Sequence, residues 1–212
     1  MKIKSKLIAA AMATATPLAA ASLVMAAATP AAAQAASDAD AKRAGAFIDE
    51  LAGGAFGVIR SGDANSGATK AKLRGMLAKN FDVDYIGQYL IRRHRSDLSD
   101  AQFRNYMAVF PDWVVATYTN NLFAFKDSEL KVLRAVPAGS RGDIEVYSRV
   151  TPPSGAPIDA VWQVRKEGNG FTIRNLKVSG VNLTLTQEQD FNAYINKNGF
   201  DALVDLMKRR VS

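Results

Sequence analysis

The side chains best suited to chemistry lie together in the segment Arg92-Arg93-His94-Arg95-Ser96-Asp97. An imidazole titrates near neutrality, and the Asp97 carboxylate could orient His94 as a general base. A solvated helix end before a cap at Ser99 explains the same residues equally well. A third interpretation uses the three arginines, because guanidinium groups bind phosphate or the carboxylates of an acidic partner.

The composition excludes several other kinds of site. The 212 residues contain no cysteine and one histidine, so disulfides, thiolate zinc sites, cysteine nucleophiles and multi-histidine metal centres are impossible. The chain also lacks a GxSxG elbow, a Walker loop and a GxGxxG fingerprint. Asp82 and Asp84 could act as paired carboxylates, although a helix cap at Asp82 is the simpler role. These absences disfavour most kinds of catalysis, and we expect no enzymatic activity, no metal and no cofactor.

The N-terminus has the pattern of an export signal. Lys2, Lys4 and Lys6 precede a stretch from Leu7 to Ser37 that carries no charge, and Ala33-Gln34-Ala35 fits an A-x-A cleavage site. A membrane anchor is the alternative, but an Ala- and Thr-rich run interrupted by prolines inserts poorly. The pattern predicts a cleaved signal peptide over 1–35, a single domain over 36–212 and a periplasmic location.

The first half of the predicted domain, about 38–126, has helical periodicity. Apolar residues recur every three or four positions, which marks one buried helix face. Asp82 is a predicted N-cap, and Ser99 with Gln102 forms a capping box. Pro111 is expected to break the helix that follows or to begin a new one.

The period changes to two over about 129–185. Ile144, Val146 and Val150 alternate with polar residues, which is typical of a half-buried strand, and Glu167-Gly168-Asn169-Gly170 is a hairpin connection. Two helices follow over about 186–210, the first opened by a capping box at Thr186. This order predicts an α+β fold, in which six to seven helices cover a four-stranded antiparallel meander.

The sheet and the long helix each present an apolar face. We expect the helix face to cover the sheet, and an apolar pocket between the two faces is one possible arrangement. A well-packed core without a ligand would produce the same pattern. The lining residues are Phe103, Met107, Phe110, Val114, Tyr118, Leu122, Ile144, Val146, Val150, Ile158, Trp162 and Val164.

Several segments in the same order resemble the MlaC family of periplasmic phospholipid-binding proteins, also called toluene-tolerance proteins. The chain departs from the family pattern at Phe171, Asn175 and Ser179, and around Leu90 to His94. The matching segments are the strand over 160–164, the run over 171–183, Phe81-Asp82-Val83-Asp84-Tyr85-Ile86, the Ser99 to Leu122 helix, and Phe191, Gly199, Leu203 and Leu206.

The resemblance implies a carrier that encloses the tails of a glycerophospholipid and maintains the lipid asymmetry of the outer membrane. Its implied partners are an outer-membrane lipoprotein complex and an inner-membrane ABC-type lipid transport complex. Arg92, Arg93 and Arg95 would then contact the headgroup or a partner. Two alternatives stay open, a small isomerase or dehydratase with His94 or Asp159 as base, and a ligand-free periplasmic adaptor.

Overall fold

The structure is a computed structural model that describes residues 35–211. The predicted signal peptide, apart from Ala35, lies outside the described residues. The helices of the first half are α1 (Asp38–Ser61), α2 (Gly67–Asn80), α3 (Val83–Leu90) and α4 (Asp100–Phe123), with a short 3-10 turn at Arg95–Asp97. The strands are β1 (Glu129–Ala138), β2 (Asp143–Thr151), β3 (Ile158–Glu167), β4 (Gly170–Val178) and β5 (Val181–Asn182). The chain ends in α5 (Leu183–Asn198) and α6 (Phe200–Val211).

The strands form one antiparallel meander in the order β1-β2-β3-β4-β5. The predicted α+β fold is therefore confirmed, with a fifth strand of two residues in addition to the four expected. Ser179 and Gly180 have φ angles of 49° and 82° and form the tight turn between β4 and β5. Two successive positive φ angles suit the twist of a two-residue hairpin. The sequence pattern did not predict this short strand β5.

Side-chain caps set the helix starts, and two of them match the prediction. Ser99 and Gln102 form the capping box of α4, and the Asp82 side chain accepts a hydrogen bond from the backbone N–H of Tyr85. The predicted start of α5 at Thr186 is wrong. Asn182 accepts a hydrogen bond from the N–H of Leu185 and so begins the helix a turn earlier.

Pro111 lies inside α4 and does not break it, contrary to the expectation. A proline removes one backbone hydrogen bond to the preceding turn and crowds the carbonyl there. Its neighbours Phe110 and Trp113 are both buried and stack with a centroid distance of 6.1 Å. Packing on both sides of the proline therefore holds the two halves of α4 in one helix.

The interior has two main apolar clusters. In the sheet cluster, α1 packs through Ala44 and Ile48 on the inner face of the sheet. The helical cluster joins α4, α5 and α6 with the end of α3, and it consists of Leu90, Ile91, Tyr106, Phe110, Trp113, Phe191, Ile195, Phe200, Leu203, Val204 and Met207. A third, smaller cluster forms around Ile59, Leu73 and Val115. No helix in the described part of the chain is long and apolar enough to span a bilayer.

Candidate functional site

The predicted lining residues of α4 do not all lie in one place. Phe110 is fully buried in the helical cluster, and Phe103, Met107 and Val114 pack against that cluster while partly buried. Their contacts are with other helices rather than with the sheet. These four side chains therefore help to build the core that supports α4.

The predicted lining residues of the sheet divide in the same way. Ile144, Val146 and Val164 are fully buried in the sheet cluster, where α1 covers them. The expectation that the α4 aromatic residues cover this part of the sheet is wrong. Ala41 and Ala44 of α1 are small, so that helix can approach the strands closely and occupy the position that the sequence pattern assigned to α4.

Four of the predicted residues belong to none of the three apolar clusters. Val150 and Ile158 are cross-strand partners at one end of the sheet, and both are half-buried. Tyr118 is half-buried on α4, and Leu122, one turn further on, is 41% exposed. Tyr118 touches the helical cluster only edge-on, through the Trp113 ring at a centroid distance of 6.4 Å. Apolar side chains outside the clusters are available to an apolar ligand. We call Tyr118, Leu122, Val150 and Ile158 the open apolar set.

One hydrogen bond joins the α4 part of this open apolar set to α5. The Tyr118 hydroxyl donates to Oε1 of Gln187 in the first half of α5 over 3.2 Å. Because α5 follows β5 directly and β5 pairs with the end of β4, Gln187 belongs to the same end of the sheet as Ile158. Burial raises the pKa of Tyr118, and the negative charge of Asp190 raises it further. The phenol therefore stays protonated and remains a donor.

Trp162 lies on the inner face beside this end of the sheet. The side chain is partly buried and packs against the sheet cluster. Its indole Nε1 donates to Oγ of Ser148 over 2.9 Å, and that serine is buried. The hydrogen bond fixes the orientation of the indole plane and gives the buried hydroxyl a partner. The ring is thus an oriented, partly uncovered apolar surface on the same sheet face as Ile158 and Val150, with the Ala160–Ser148 pair between them.

The three arginines of the sequence motif have different partners. Arg93 donates from Nε to Oε1 of Glu188 over 2.6 Å, and Arg92 lies 3.6 Å from the same oxygen. The Arg95 guanidinium lies 4.2 Å from the centroid of the Phe103 ring and 3.8 Å from an Asp100 oxygen. The motif therefore reaches both α5 and α4.

Glu188 is a functional candidate that sequence reasoning missed. It is fully buried, and its second oxygen Oε2 has no hydrogen-bond partner among the described residues. The signal was present, because Glu188 shares a helical stripe with Phe191 and Ile195, which are three and seven residues further on. A charged residue on an apolar stripe indicates a buried ion pair.

Arg92 and Arg95 also border an open groove of about 550 Å³ on the outer side of α3. Rings and cations alternate along this surface: Arg92 lies over Tyr89, and Arg174 lies over Tyr85. A second open groove of about 450 Å³ runs between α1 and β1. The residues along the first groove are Asp82, Asp84, Tyr85, Gln88, Tyr89, Arg92 and Arg95.

The geometry does not support the predicted general bases. His94 contacts the Asn192 amide oxygen through Nε2 over 2.9 Å, and Asp97 accepts a hydrogen bond from Ser96 instead. Asp159 lies on the outer face of the sheet, opposite the open apolar set, where it pairs with Arg149 at 2.7 Å. Hydrogen bonding to that guanidinium lowers the pKa of Asp159 and weakens it as a base.

Of the two remaining candidate carboxylates, Asp84 is exposed in the first turn of α3, and Asp82 has a structural role. Asp82 caps α3 and also pairs with Arg174 at 2.7 Å, so it has the cap role that the sequence favoured. Among the described residues, no group of three or more histidine, aspartate or glutamate side chains is arranged to hold a metal ion.

Comparisons with known proteins agree with the fold. A family model described as MlaC protein matches residues 49–209, which is more than half of the chain. Among solved structures, a phospholipid-binding protein from Ralstonia solanacearum, in complex with a phospholipid, is similar to this chain with a TM-score of 0.65 and 21% identity. The match covers 79% of this chain and 96% of that one. At this identity the similarity establishes a shared fold.

Proposed function

The chain belongs to the MlaC protein family, and we propose that it is a periplasmic phospholipid carrier that moves glycerophospholipids between the outer and inner membranes. The observation that carries the proposal is the open apolar set, in which Tyr118, Leu122, Val150 and Ile158 stay outside every apolar cluster. The bound phospholipid of the Ralstonia protein of the same fold supports the choice of ligand.

A soluble carrier must cover the lipid tails. Two acyl chains hold roughly 30 methylenes at about 0.8 kcal/mol each, so their exposure to water would cost on the order of 25 kcal/mol. The open apolar set and the Trp162 ring supply the surface that the tails contact. The headgroup needs no specific pocket and stays in solvent, which suits a carrier of several phospholipids.

The same energy requires partners at both ends of the route. A lipid that costs this much to expose cannot leave spontaneously into water. It is transferred only when the carrier docks on a complex that offers the tails another apolar environment. We propose the outer-membrane lipoprotein complex and the inner-membrane ABC-type complex for this role, with transport maintaining the lipid asymmetry of the outer membrane.

The direct test is mass spectrometry of the protein purified without detergent from cells that export it. We expect a co-purifying mass of phospholipid size under native conditions that is lost on denaturation. A folded protein without such a mass would contradict the proposal and favour the ligand-free adaptor. Removal of the lipid should also lower the melting temperature, because a ligand bound to the native state stabilises it.

A matched pair of variants then locates the site. Ile158→Asn places an amide in the open apolar set and should reduce the lipid content of the purified protein severalfold. Val161→Asn is the control, because Val161 is half-buried on the same strand but on the opposite face. Val146 is unsuitable for such a test, since it is fully buried under α1 and a polar residue there would unfold the sheet cluster.

A further inference from the structure

The last turns of α6 combine exposed cations with exposed apolar side chains. Lys208, Arg209 and Arg210 are consecutive and exposed at the helix end. Leu206 is 40% exposed and Val211 is 41% exposed. We call these five residues the α6 tip. Cations near a helix C-terminus stabilise it through the helix dipole, but that effect does not account for two uncovered apolar side chains beside them.

The helix geometry places the two kinds of side chain together. With 3.6 residues per turn, Leu206 lies between Arg209 and Arg210 on the outer surface of α6. Val211 follows one turn after the fully buried Met207, so the apolar stripe that packs into the helical cluster continues beyond the core into solvent. The tip therefore has an apolar edge at Leu206, bordered by Arg209 and Arg210, and Val211 lies about 140° further round the helix axis.

The cations of this tip differ in their ion pairs within the described part of the chain. Asp205 lies 3.8 Å from Lys208 Nζ. Within residues 35–211, neither Arg209 nor Arg210 forms an ion pair with another described side chain. Both guanidinium groups are thus available to anions outside the protein.

We propose that the α6 tip is a contact site for the surface of an anionic phospholipid bilayer. Arginine binds lipid phosphates with paired hydrogen bonds, while leucine and valine enter the boundary between headgroups and acyl chains. An acidic protein surface would satisfy the cations but would leave the apolar edge without a matching environment. This contact is separate from the binding of a lipid inside the protein, and it positions the protein on the membrane itself.

The test is sedimentation of the purified full-length processed protein with protein-free vesicles. Vesicles contain either phosphatidylcholine alone or equal amounts of phosphatidylcholine and phosphatidylglycerol. We expect preferential binding to the anionic vesicles that weakens as salt is added. Each cation at such a surface contributes about fivefold to partitioning, so Arg209→Ser with Arg210→Ser should reduce binding roughly 25-fold.

The control removes the same charge from another exposed helix. Lys70→Ser with Lys72→Ser changes α2, where both lysines are exposed, and should reduce binding only slightly. Equal losses in the two double variants would overturn the proposal, since net charge alone would then explain the binding. Leu206→Ser keeps every charge and should lower the part of binding that persists in high salt.

Two further measurements distinguish membrane contact from docking on a protein partner and from phospholipid carriage. Binding to native membranes but not to protein-free vesicles of their lipids would assign the tip to a protein partner and overturn the proposal. The lipid content of each variant is measured on the same samples. Normal content in Arg209→Ser with Arg210→Ser is expected, and it separates a failure of membrane contact from a failure of phospholipid carriage.

Discussion

Glu188 of α5 accepts a 2.6 Å hydrogen bond from Arg93, and the two side chains differ sharply in exposure. The carboxylate is 1% exposed, whereas the arginine side chain is 57% exposed. Within the part of the chain that the structure describes, the second oxygen of Glu188 has no hydrogen-bond partner, and Arg92 is the next cation, at 3.6 Å from Oε1. A solvent-accessible cation thus compensates a buried charge, and the pair ties α5 to the turn that follows α3.

Replacement of Arg93 by alanine should destabilise the protein by about 2 kcal/mol. The Glu188 carboxylate would remain buried, so its desolvation would no longer be offset by its nearest hydrogen-bond donor. Because Arg93 is exposed and Arg92 is nearby, this loss of stability should be smaller than for a fully buried ion pair. Urea unfolding followed by circular dichroism measures the change. Adding Glu188→Leu should recover much of the loss, since no buried charge then remains.

Arg165→Ala is the matched comparison. Arg165 also donates to a carboxylate over 2.6 Å, that of Asp143, but Asp143 keeps access to water. Arg165→Ala should therefore lower the free energy of unfolding by about 1 kcal/mol or less. Equal costs at Arg93 and Arg165 would show that the burial of Glu188 has no special consequence.

Features that depend on nearby residues were predictable from the sequence. The cap at Asp82 and the capping box of Ser99 and Gln102 use atoms within one turn of the chain, so the sequence spacing determines the contact. The alternation of Ile144 and Val146 likewise determined which strand face is buried. At Asn182 the prediction failed because two capping residues competed, and the earlier one begins α5.

Features that depend on tertiary packing were not predictable. The periodicity of α1 and of α4 shows an apolar face on each helix, but it does not say which helix covers the sheet. Ile144 and Val164 therefore proved to pack under α1, while the α4 side chains entered the helical cluster. The open apolar set emerges only once these contacts are known, since it is what remains of the predicted lining.

Asp40 should make the stability of the protein depend on pH in the acidic range. Its pKa is lowered from 3.8 to about 2, mainly by the hydrogen bond from Lys166 and then by those from Ser37. Because the folded pKa lies below the unfolded one, the stabilisation is complete above about pH 4 and disappears as the pH falls through about 2. The stability difference between wild type and Asp40→Asn should follow that course.

The control for this titration is Asp38→Asn, which removes an acid from the same first turn of α1 at an exposed position. Urea unfolding at a series of pH values compares the three proteins. If Asp38→Asn and Asp40→Asn lost stability equally across the series, the ion pair with Lys166 would not be the cause.

Gly87 permits the close crossing of α3 and α4. A Cβ atom there would lie 2.9 Å from Met107 Sδ and 3.1 Å from Phe110 Cδ1, and the Gly87 carbonyl accepts the hydrogen bond of the buried Tyr106 hydroxyl. Gly87→Ala should therefore destabilise the protein by about 1–3 kcal/mol, although alanine is the better helix former.

Gly75→Ala provides the opposite case, because nothing lies within 4 Å of the added atom in the interior of α2. It should stabilise the protein by about 0.5–1 kcal/mol. Thermal unfolding measures both variants. Combining Gly87→Ala with Met107→Ala should relieve the overlap, and a failure to do so would place the strain at Phe110 instead.

The two tryptophans of the chain, Trp113 and Trp162, can report separately on a bound lipid. Trp113 is buried in the helical cluster, and Trp162 is partly uncovered beside the open apolar set. In Trp113→Phe, where Trp162 is the only indole, removal of the lipid should shift the emission to longer wavelength, because water reaches the ring. In Trp162→Phe the emission of Trp113 should move less, because that ring is buried and meets the open apolar set only through Tyr118. A shift confined to Trp113 would place the lipid among the helices, against the predicted lining of the sheet.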